Sequence, residues 1–548
     1  MKNNRTSSTA KVASDQKDLC AIDVLWKLSW VPTIFGGMKE GRLLNVDLSG
    51  ATLETKNYLR VGDYISLRLE NTDVSKKAHK FSSGIFDPRK IFRRNRVSAE
   101  ITTNITYALD PRSEESRYVY EVAFMAATRE RGKVFVNSTL PWMALILFVL
   151  GTINVIYLKS FNVKYFNYQV FLNSYSLVVS FYILSRFFFS CFYRPPKYVG
   201  YLPNISVIIA CFNEGDSIRK TIDCIYKSDY PSDRIEVIAV NDGSTDNTLD
   251  EMRLAGADHR TLKVINFEKN LGKRHGMAAG TRAARGEILV FIDSDSFVER
   301  HTLRKLVQGF VNREVGAICG HANVTNTAKN FLTKMQQVRY FVAFRIIKAA
   351  ESIFSTVACC SGCLAAYRRE YVMEILDQWL NQTFLGNEAT FGDDRSLTNY
   401  MLKKYRVIYD SEAVCTTIVP EKYGKFFRQQ LRWKKSWLRE TLIGCRFMWK
   451  RHPVACFFYY LGAMFPLMAP IVILNALVFP LFTIHSLSYV YIYGAFLMAM
   501  LYSLVYLIFY RDRVWLYGIA FSFFYMTVLV WQTYYAMFTV RRNHWGTR

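Results

Sequence analysis

The sequence predicts a membrane-embedded α/β protein: a soluble parallel-sheet domain set between transmembrane helices, with a small N-terminal β-barrel ahead of them. Three observations predict it. Apolar residues gather in long runs near 140–193 and 454–540, the middle of the chain alternates fully apolar strands with helical stretches, and residues 40–128 alternate apolar and polar positions. With 51% hydrophobic residues in 548, a disordered polyelectrolyte is excluded, because unfolded chains have too little apolar surface to offset their entropy. The eleven Cys show no secreted-type framework, so reduced thiols in a cytosolic compartment are expected.

The run 140–158 is almost uncharged and spans the roughly 30 Å hydrocarbon core; 170–193 is a second run, interrupted by Arg186. The first 30 residues lack the apolar centre of a signal peptide, so the N-terminus is expected to stay inside. Arg129, Arg131 and Lys133 before the pair, with Arg194 and Lys197 after it, agree. Three further runs follow, 454–484, 489–510 and 514–540. If each crossed, Arg541 and Arg542 would lie outside, against the positive-inside tendency. The expectation is therefore four crossings, with the last run re-entrant or interfacial; five crossings and an external tail is the alternative.

A formal charge of +25 calls for an anionic partner. The Lys and Arg are spread through juxtamembrane loops with no nucleic-acid recognition motif. Membrane lipids of an anionic leaflet and an anionic nucleotide substrate fit better than nucleic acid.

In residues 40–132, Leu43, Leu44, Val46 and Leu48, then Tyr64, Ile65, Leu67 and Leu69, then Val97, Ile101 and 118–124 alternate with period two, as in a small antiparallel barrel or sandwich. Asn45-Val46-Asp47-Leu48-Ser49-Gly50-Ala51 resembles the strand-and-turn signature of PilZ domains, a family that binds cyclic di-GMP. Asp47 stands where that family has Ser, and the RxxxR run from Arg89 to Arg93 follows the strand instead of preceding it. For the arginines there, a solvated or lipid-facing patch is the competing explanation.

The middle of the chain carries the chemistry. Apolar strands at 205–211, 235–240 and 288–292 run into Phe212-Asn213-Glu214, Asn241-Asp242 and Asp293-Ser294-Asp295. Such strands form a parallel sheet covered on both faces, and ligands bind at its carboxyl edge. Three successive strands ending in acids suit a sugar diphosphate with its divalent cation, since Mg²⁺ or Mn²⁺ takes one or two carboxylates plus phosphate oxygens. Lys273 and Arg274 sit where they could contact the nucleotide side. From 423 to 450, aromatic and aliphatic residues alternate with basic ones, as in an amphipathic helix at a membrane surface.

From about 203 to 439 the chain resembles processive membrane glycosyltransferases of family 2, most closely hyaluronan synthases and rhizobial chitin-oligosaccharide synthases. The resemblance rests on Asp242, Asp293-Ser294-Asp295, the segment 360–369, Phe391-Gly392-Asp393-Asp394-Arg395 and Gln429-Gln430-Leu431-Arg432-Trp433. It implies a cytosolic family 2 (GT-A) domain over 200–420, interfacial helices over 421–452, and transmembrane helices at 138–194 and 453–540 around it. The segment 1–39 would be a polar lead and 541–548 a cytosolic tail, in a multi-pass inner (plasma) membrane protein.

The resemblance also implies roles. Asp394 would be the general base, with Asp393 its rival; Asp295 and Asp293 would hold the metal. Glu214, Asp242, Lys273, Gln429 and Arg432 would meet the nucleotide donor. Trp433 and Ser361-Gly362-Cys363 would meet the acceptor, although Cys363 stands where the family usually has Pro. The tail residues Trp545 and Arg548 resemble a hyaluronan synthase motif near the nucleotide. The implied activity is a hexosyltransferase that polymerises UDP-sugars, UDP-GlcNAc alone or with UDP-GlcA, and threads the growing polysaccharide through its own helices, with polar groups such as Asn173 and Arg186 as candidate lining. A β-glucan or mannuronan synthase regulated by cyclic di-GMP is the alternative.

Overall fold

The computed structural model describes the backbone of six strands between 22 and 124, scattered helical positions within 146–160, and residues 170–479, 482, 489–510 and 512–541. It divides into two units, 1–140 and 141–548.

The first unit contains β1 (Ile22–Leu28), β2 (Lys39–Leu44), β3 (Gly50–Thr55), β4 (Tyr64–Leu69), β5 (Arg96–Asn104) and β6 (Tyr118–Phe124). Their antiparallel pairing runs β1-β2-β3-β6-β5-β4 and returns to β1. The first strand lies upstream of residue 40, inside the segment expected to be a polar lead: Ile22, Val24, Trp26 and Leu28 give it the same period of two as the strands it pairs with. The turn residues Asn45 to Ser49 and the arginines Arg89 and Arg93 lie outside the described residues.

The second unit is built on an eight-stranded sheet of order β11-β16-β12-β13-β10-β7-β8-β9. Its strands are β7 (Ile205–Cys211), β8 (Ile235–Asn241), β9 (Leu262–Asn266), β10 (Ile288–Phe291), β11 (Ser296–Val298), β12 (Val315–Val324), β13 (Ala365–Arg368) and β16 (Arg406–Thr417); β14 (Thr383–Phe384) and β15 (Asn387–Glu388) form a separate ribbon. β10, β7, β8 and β9 are parallel. Every residue of β7 is buried, as expected of a strand covered on both faces. The helix Gly215–Tyr226 buries Ile218, Ile222 and Ile225, one stripe at helical spacing. The helix Lys273–Ala283 lies close to β7 because Gly276 and Gly280 face it: a Cβ on Gly280 would stand 2.5 Å from Ile208. That close approach sets Lys273 and Arg274, at the helix's start, over the carboxyl edge of the sheet.

Three described helices are long and apolar enough to cross a membrane, 174–192, 453–478 and 491–510, and the stretches 513–529 and 532–538 form a pair bent by 43°. A bent last run is what a re-entrant or broken segment requires. The first expected span, 140–158, lies largely outside the described residues.

Candidate active site

The carboxyl ends of β7 and β8 are stitched together by backbone geometry. Asn213, at a positive φ of 55°, receives a hydrogen bond on its side-chain oxygen from the Thr245 amide at 2.9 Å, and its own amide donates to Ser244 Oγ at 3.0 Å. Glu214 caps the next helix, its amide donating to Thr248 Oγ1 at 2.8 Å and its carboxylate accepting from Ser217 Oγ at 3.1 Å. Asp242 is buried and accepts from the Leu271 amide at 2.8 Å and the Gly272 amide at 2.9 Å. Burial raises its pKa and the two amides oppose the rise. Its carboxylate therefore fixes the loop that leads into Lys273. Gly243 permits the close packing of that loop: its φ is +68°, and a Cβ would meet the Lys269 carbonyl carbon at 2.4 Å.

Beyond this edge lies a cavity of about 460 Å³. Of the residues singled out in the sequence, Lys273, Asp293, Ser361, Gly362, Cys363, Asp393, Asp394, Arg432 and Trp433 line it; Glu214, Asp242, Asp295 and Gln429 do not. Trp545 and Arg548 lie outside the described residues.

Asp293 is hydrogen-bonded to Lys273. Burial would lower the Lys273 pKa, but Asp293, with Asp393 and Asp394 near, raises it overall, so its ammonium stays charged. Asp295 accepts from Thr417 Oγ1 at 3.4 Å. Among the described residues no three His, Cys, Asp or Glu side chains converge as a complete metal-binding group. Two carboxylates suffice for a hard cation that arrives with its diphosphate, because phosphate oxygens and water complete the shell. The donor set of Asp293 and Asp295 thus fits a Mg²⁺ or Mn²⁺ that substrate helps to hold. The neighbouring Cys363 thiol does not add to it: its pKa is pushed up, by burial first and then by Asp293 and Asp295, so it stays protonated.

The structure separates the two candidate bases. Asp393 and Arg274 form a buried ion pair at 2.9 Å, their side chains 5% and 4% exposed, and Arg274 also donates to the Trp379 carbonyl at 3.0 Å. Asp394, next in sequence at the start of the helix Asp393–Lys404, is only partly buried and faces the cavity. Its Oδ1 accepts from its neighbour's amide, Arg395 N, at 2.8 Å, and Cys359 Sγ lies 3.6 Å from Oδ2. The helix starts at Gly392, whose φ is +78° and whose missing Cβ leaves room for Ser436 Oγ, 1.8 Å from where that carbon would be.

Ser436 belongs to the far wall, the helix Tyr423–Cys445. Arg439 donates to Glu440 at 2.8 Å and to the Phe391 carbonyl, and Glu440 also accepts from Gln382 at 3.1 Å and Asn399 at 2.9 Å. This buried network locks the helix to the loop that carries Asp393 and Asp394. Nearer the start of the same helix, Arg339 donates to Gln430 at 2.6 Å, and its guanidinium carbon stands 5.2 Å from the Trp433 ring centre. Gln430, not Gln429, is the glutamine that lines the cavity. Lys434 reaches across to the bent pair, donating to the Leu529 carbonyl at 2.5 Å and Thr533 Oγ1 at 2.9 Å.

Sequence reasoning missed Arg339, Lys348, Arg395 and Lys434, all in the cavity wall. Lys348 is buried and donates to Ser361 Oγ at 2.6 Å, the Cys359 carbonyl at 2.8 Å and Cys319 Sγ at 3.1 Å, so it shapes the loop expected to meet the acceptor. Burial opposes its charge, but Cys319 and Cys359 raise its pKa overall. Arg395 ends the quoted 391–395 motif and Lys434 follows Trp433 directly, so both stood beside a signal; Arg339 stands in no such pattern, and Lys348 shares the apolar helical stretch 342–350 with Arg345.

A sheet edge of acids, Asp394 at a helix start and an arginine-tryptophan helix around one cavity define a transferase of nucleotide-linked sugars. Residues 206–376 match the model of Glycosyl transferase family 2, and the chain is a glycosyltransferase with a family 2 catalytic domain. The hyaluronan synthase of Streptococcus pyogenes is 28% identical over 379 residues, covering 68% of this chain and 90% of that protein. The N-acetylglucosaminyltransferase of Mesorhizobium japonicum is 35% identical over 246 residues, covering 44% of this chain and 57% of its own. A mannosyltransferase from Pyrobaculum calidifontis, solved in complex with GDP-Man and Mn²⁺, aligns at a TM-score of 0.42 and 21% identity over 65% of this chain and 99% of that one.

Proposed function

We propose that the protein is a processive, inverting synthase that polymerises UDP-GlcNAc together with UDP-GlcA into a β-linked polysaccharide and carries the product across the membrane. The observation that carries this reading is that Asp293, Asp394, Arg432 and Trp433 line the same cavity as Pro466, Tyr525 and Thr533 of the membrane helices. The relatives named above favour it over a β-glucan or mannuronan synthase.

In this reading the donor lies along the edge fixed by Glu214 and Asp242, with Lys273 and Arg432 on its diphosphate side; Gln429, expected there from the sequence, stands outside the cavity wall. A divalent cation held by Asp293 and Asp295 would neutralise charge on the leaving diphosphate. Asp394 takes the proton of the acceptor hydroxyl as that oxygen attacks the anomeric carbon, and the single displacement inverts the centre. Asp393, tied to Arg274, positions the helix start instead. Trp433 offers its face to the acceptor sugar, and Ser361-Gly362-Cys363 holds it from the other side. Gly362 is suited to this: a Cβ there would press on Asp293 Oδ1 at 2.9 Å.

The catalytic unit faces the cytoplasm of a plasma membrane, with Trp545 and Arg548 of the tail near the nucleotide. The N-terminal unit is a PilZ-like domain, through which cyclic di-GMP would act. Polymer synthesis by the purified full-length enzyme with Mg²⁺ or Mn²⁺ tests this. High-mass product is expected only when UDP-GlcNAc and UDP-GlcA are both present; product from UDP-GlcNAc alone would make it a chitin-type enzyme, and short products alone would remove processivity. Running each arm with and without cyclic di-GMP tests the N-terminal assignment, which an unchanged rate would overturn.

A further inference from the structure

We infer that a second cavity, behind the acceptor loop, binds the carboxylate of a uronate unit in the departing polymer, and that Arg186 is its ligand. The inference rests on the two-donor reading above and adds a product-binding site to it.

The cavity measures about 290 Å³ and lies between the helices Val170–Phe192 and Pro453–Ile473. Lys348, Cys359, Arg395 and Trp437 line both it and the catalytic cavity, so the two adjoin through shared walls. Arg186 is 4% exposed, in a helix that is otherwise apolar or weakly polar. Its Nε and Nη2 have no hydrogen-bond partner among the described residues. Its guanidinium carbon lies 4.3 Å from the centre of the Phe458 ring and 5.0 Å from that of Tyr182. Two aromatic faces offset part of the cost of burying this cation, but they do not satisfy N–H groups that water can no longer reach. An ionisable group kept within a membrane segment generally serves a substrate path.

The described lining contains three cations, Arg186, Lys348 and Arg395, and one carboxylate, Glu351. Glu351 is the single carboxylate that all three cations share: its Oε2 accepts from the Ala358 amide at 3.0 Å, and burial raises its pKa against the opposing pull of that amide and of Arg186, Lys348 and Arg395. The site is therefore short of negative charge. A planar carboxylate matches the free Nε and Nη2 edge of a guanidinium, which donates two parallel hydrogen bonds. The aromatic walls Tyr182, Phe458, Tyr459 and Trp437 suit the apolar faces of a sugar ring. An anionic lipid headgroup offers similar charge, but the walls shared with the catalytic cavity favour an occupant that arrives from the active site. A bound uronate would hold the chain between additions and so lengthen the product.

The test is binding to the full-length enzyme in nanodiscs of neutral phosphatidylcholine. The ligands are an octasaccharide of alternating GlcNAc and GlcA and its carboxyl methyl ester. The wild type is expected to bind the free acid about tenfold more tightly than the ester, the scale of one charge-assisted pair. Arg186→Gln should bind both alike and make shorter polymer, and Arg186→Lys should recover part of the preference. Equal affinity of the wild type for acid and ester overturns the inference without any variant having to fold, as does an Arg186→Gln enzyme that keeps the preference. Loss of the preference when anionic phospholipid is added assigns the site to lipid and also overturns it. Failure of the two-donor reading is seen separately, as polymer made from UDP-GlcNAc alone; a two-donor product with no discrimination of the ester sinks this inference and leaves that reading standing.

Discussion

The two sides of the catalytic cavity are held in different ways. On the sheet side, functional groups sit at strand ends and are fixed by backbone amides of the neighbouring loops, as Asp242 is by Leu271 and Gly272. On the helix side they are fixed by side chains from remote segments: Arg439 and Glu440 reach Phe391, Gln382 and Asn399, and Lys434 reaches Leu529 and Thr533. The sheet side is rigid because the fold is. The helix side is rigid only while its buried polar network is complete, and that difference predicts which substitutions stop the chemistry and which loosen the molecule.

The sharpest break in the comparison falls between two adjacent residues. Asp394→Asn should lower transfer by roughly a hundredfold to ten-thousandfold, the range for a lost general base, with UDP binding and the melting temperature unchanged. Asp393→Asn should do the reverse in kind, leaving Arg274 as a buried cation without its 2.9 Å partner and costing about 3–5 kcal/mol of stability. Paired turnover and thermal-melt measurements separate them. If Asp393→Asn melts normally and is inactive, the assignment of the base moves to Asp393.

Next in size is the helix-side network. Glu440→Leu removes the acceptor shared by Arg439, Gln382 and Asn399. It should cost about 3–5 kcal/mol, because the partners stay buried without a counter-charge. On the sheet side, Asp242→Asn keeps the shape and one acceptor oxygen while placing an amide NH₂ against a backbone N–H. It should cost about 1–3 kcal/mol and raise the KM for the donor more than it lowers kcat, since the loop it holds leads into Lys273. A melting loss at Glu440→Leu no larger than that at Asp242→Asn would erase the distinction between the two sides.

The same distinction explains what the sequence disclosed. β7, β8 and β10 are local, continuous apolar runs, and the acids that end them are adjacent in sequence to the strands that place them, so the carboxyl edge could be read directly. The helix Tyr423–Cys445 was legible from its periodicity, yet its partners were not, since Arg339 reaches Gln430 from 91 residues upstream and Lys434 reaches Leu529 and Thr533 from 95 and 99 residues away. Asp393 and Asp394 looked equivalent in sequence; only the arrival of Arg274, 119 residues away, distinguishes them. The strand Ile22–Leu28 was missed because a single seven-residue alternation, preceded by a polar segment with Lys11 and Lys17, reads as a lead until the strands it pairs with are known.

The smallest expected effect probes the joint between the helix side and the bent pair. Lys434 is half-buried, and its pKa is lowered to about 7, by burial first and then by repulsion from Arg339. Among titratable groups this is a lysine whose folded pKa lies below its unfolded value of 10.5. Between about pH 7 and the ordinary lysine range, the unfolded chain holds a proton that the folded one does not, so stability should rise with pH through that window. Below it both states are protonated and the cost of the buried charge is borne in full. A neutral amine still has two N–H groups, enough for the Leu529 carbonyl and Thr533 Oγ1. The substrate-free enzyme should therefore melt at a higher temperature at pH 8.5 than at pH 6.5. Lys434→Met should remove most of that increment, and bound UDP should reduce it by favouring the ammonium. A melting temperature equally dependent on pH in wild type and Lys434→Met would place the titration elsewhere and leave the joint held by packing alone.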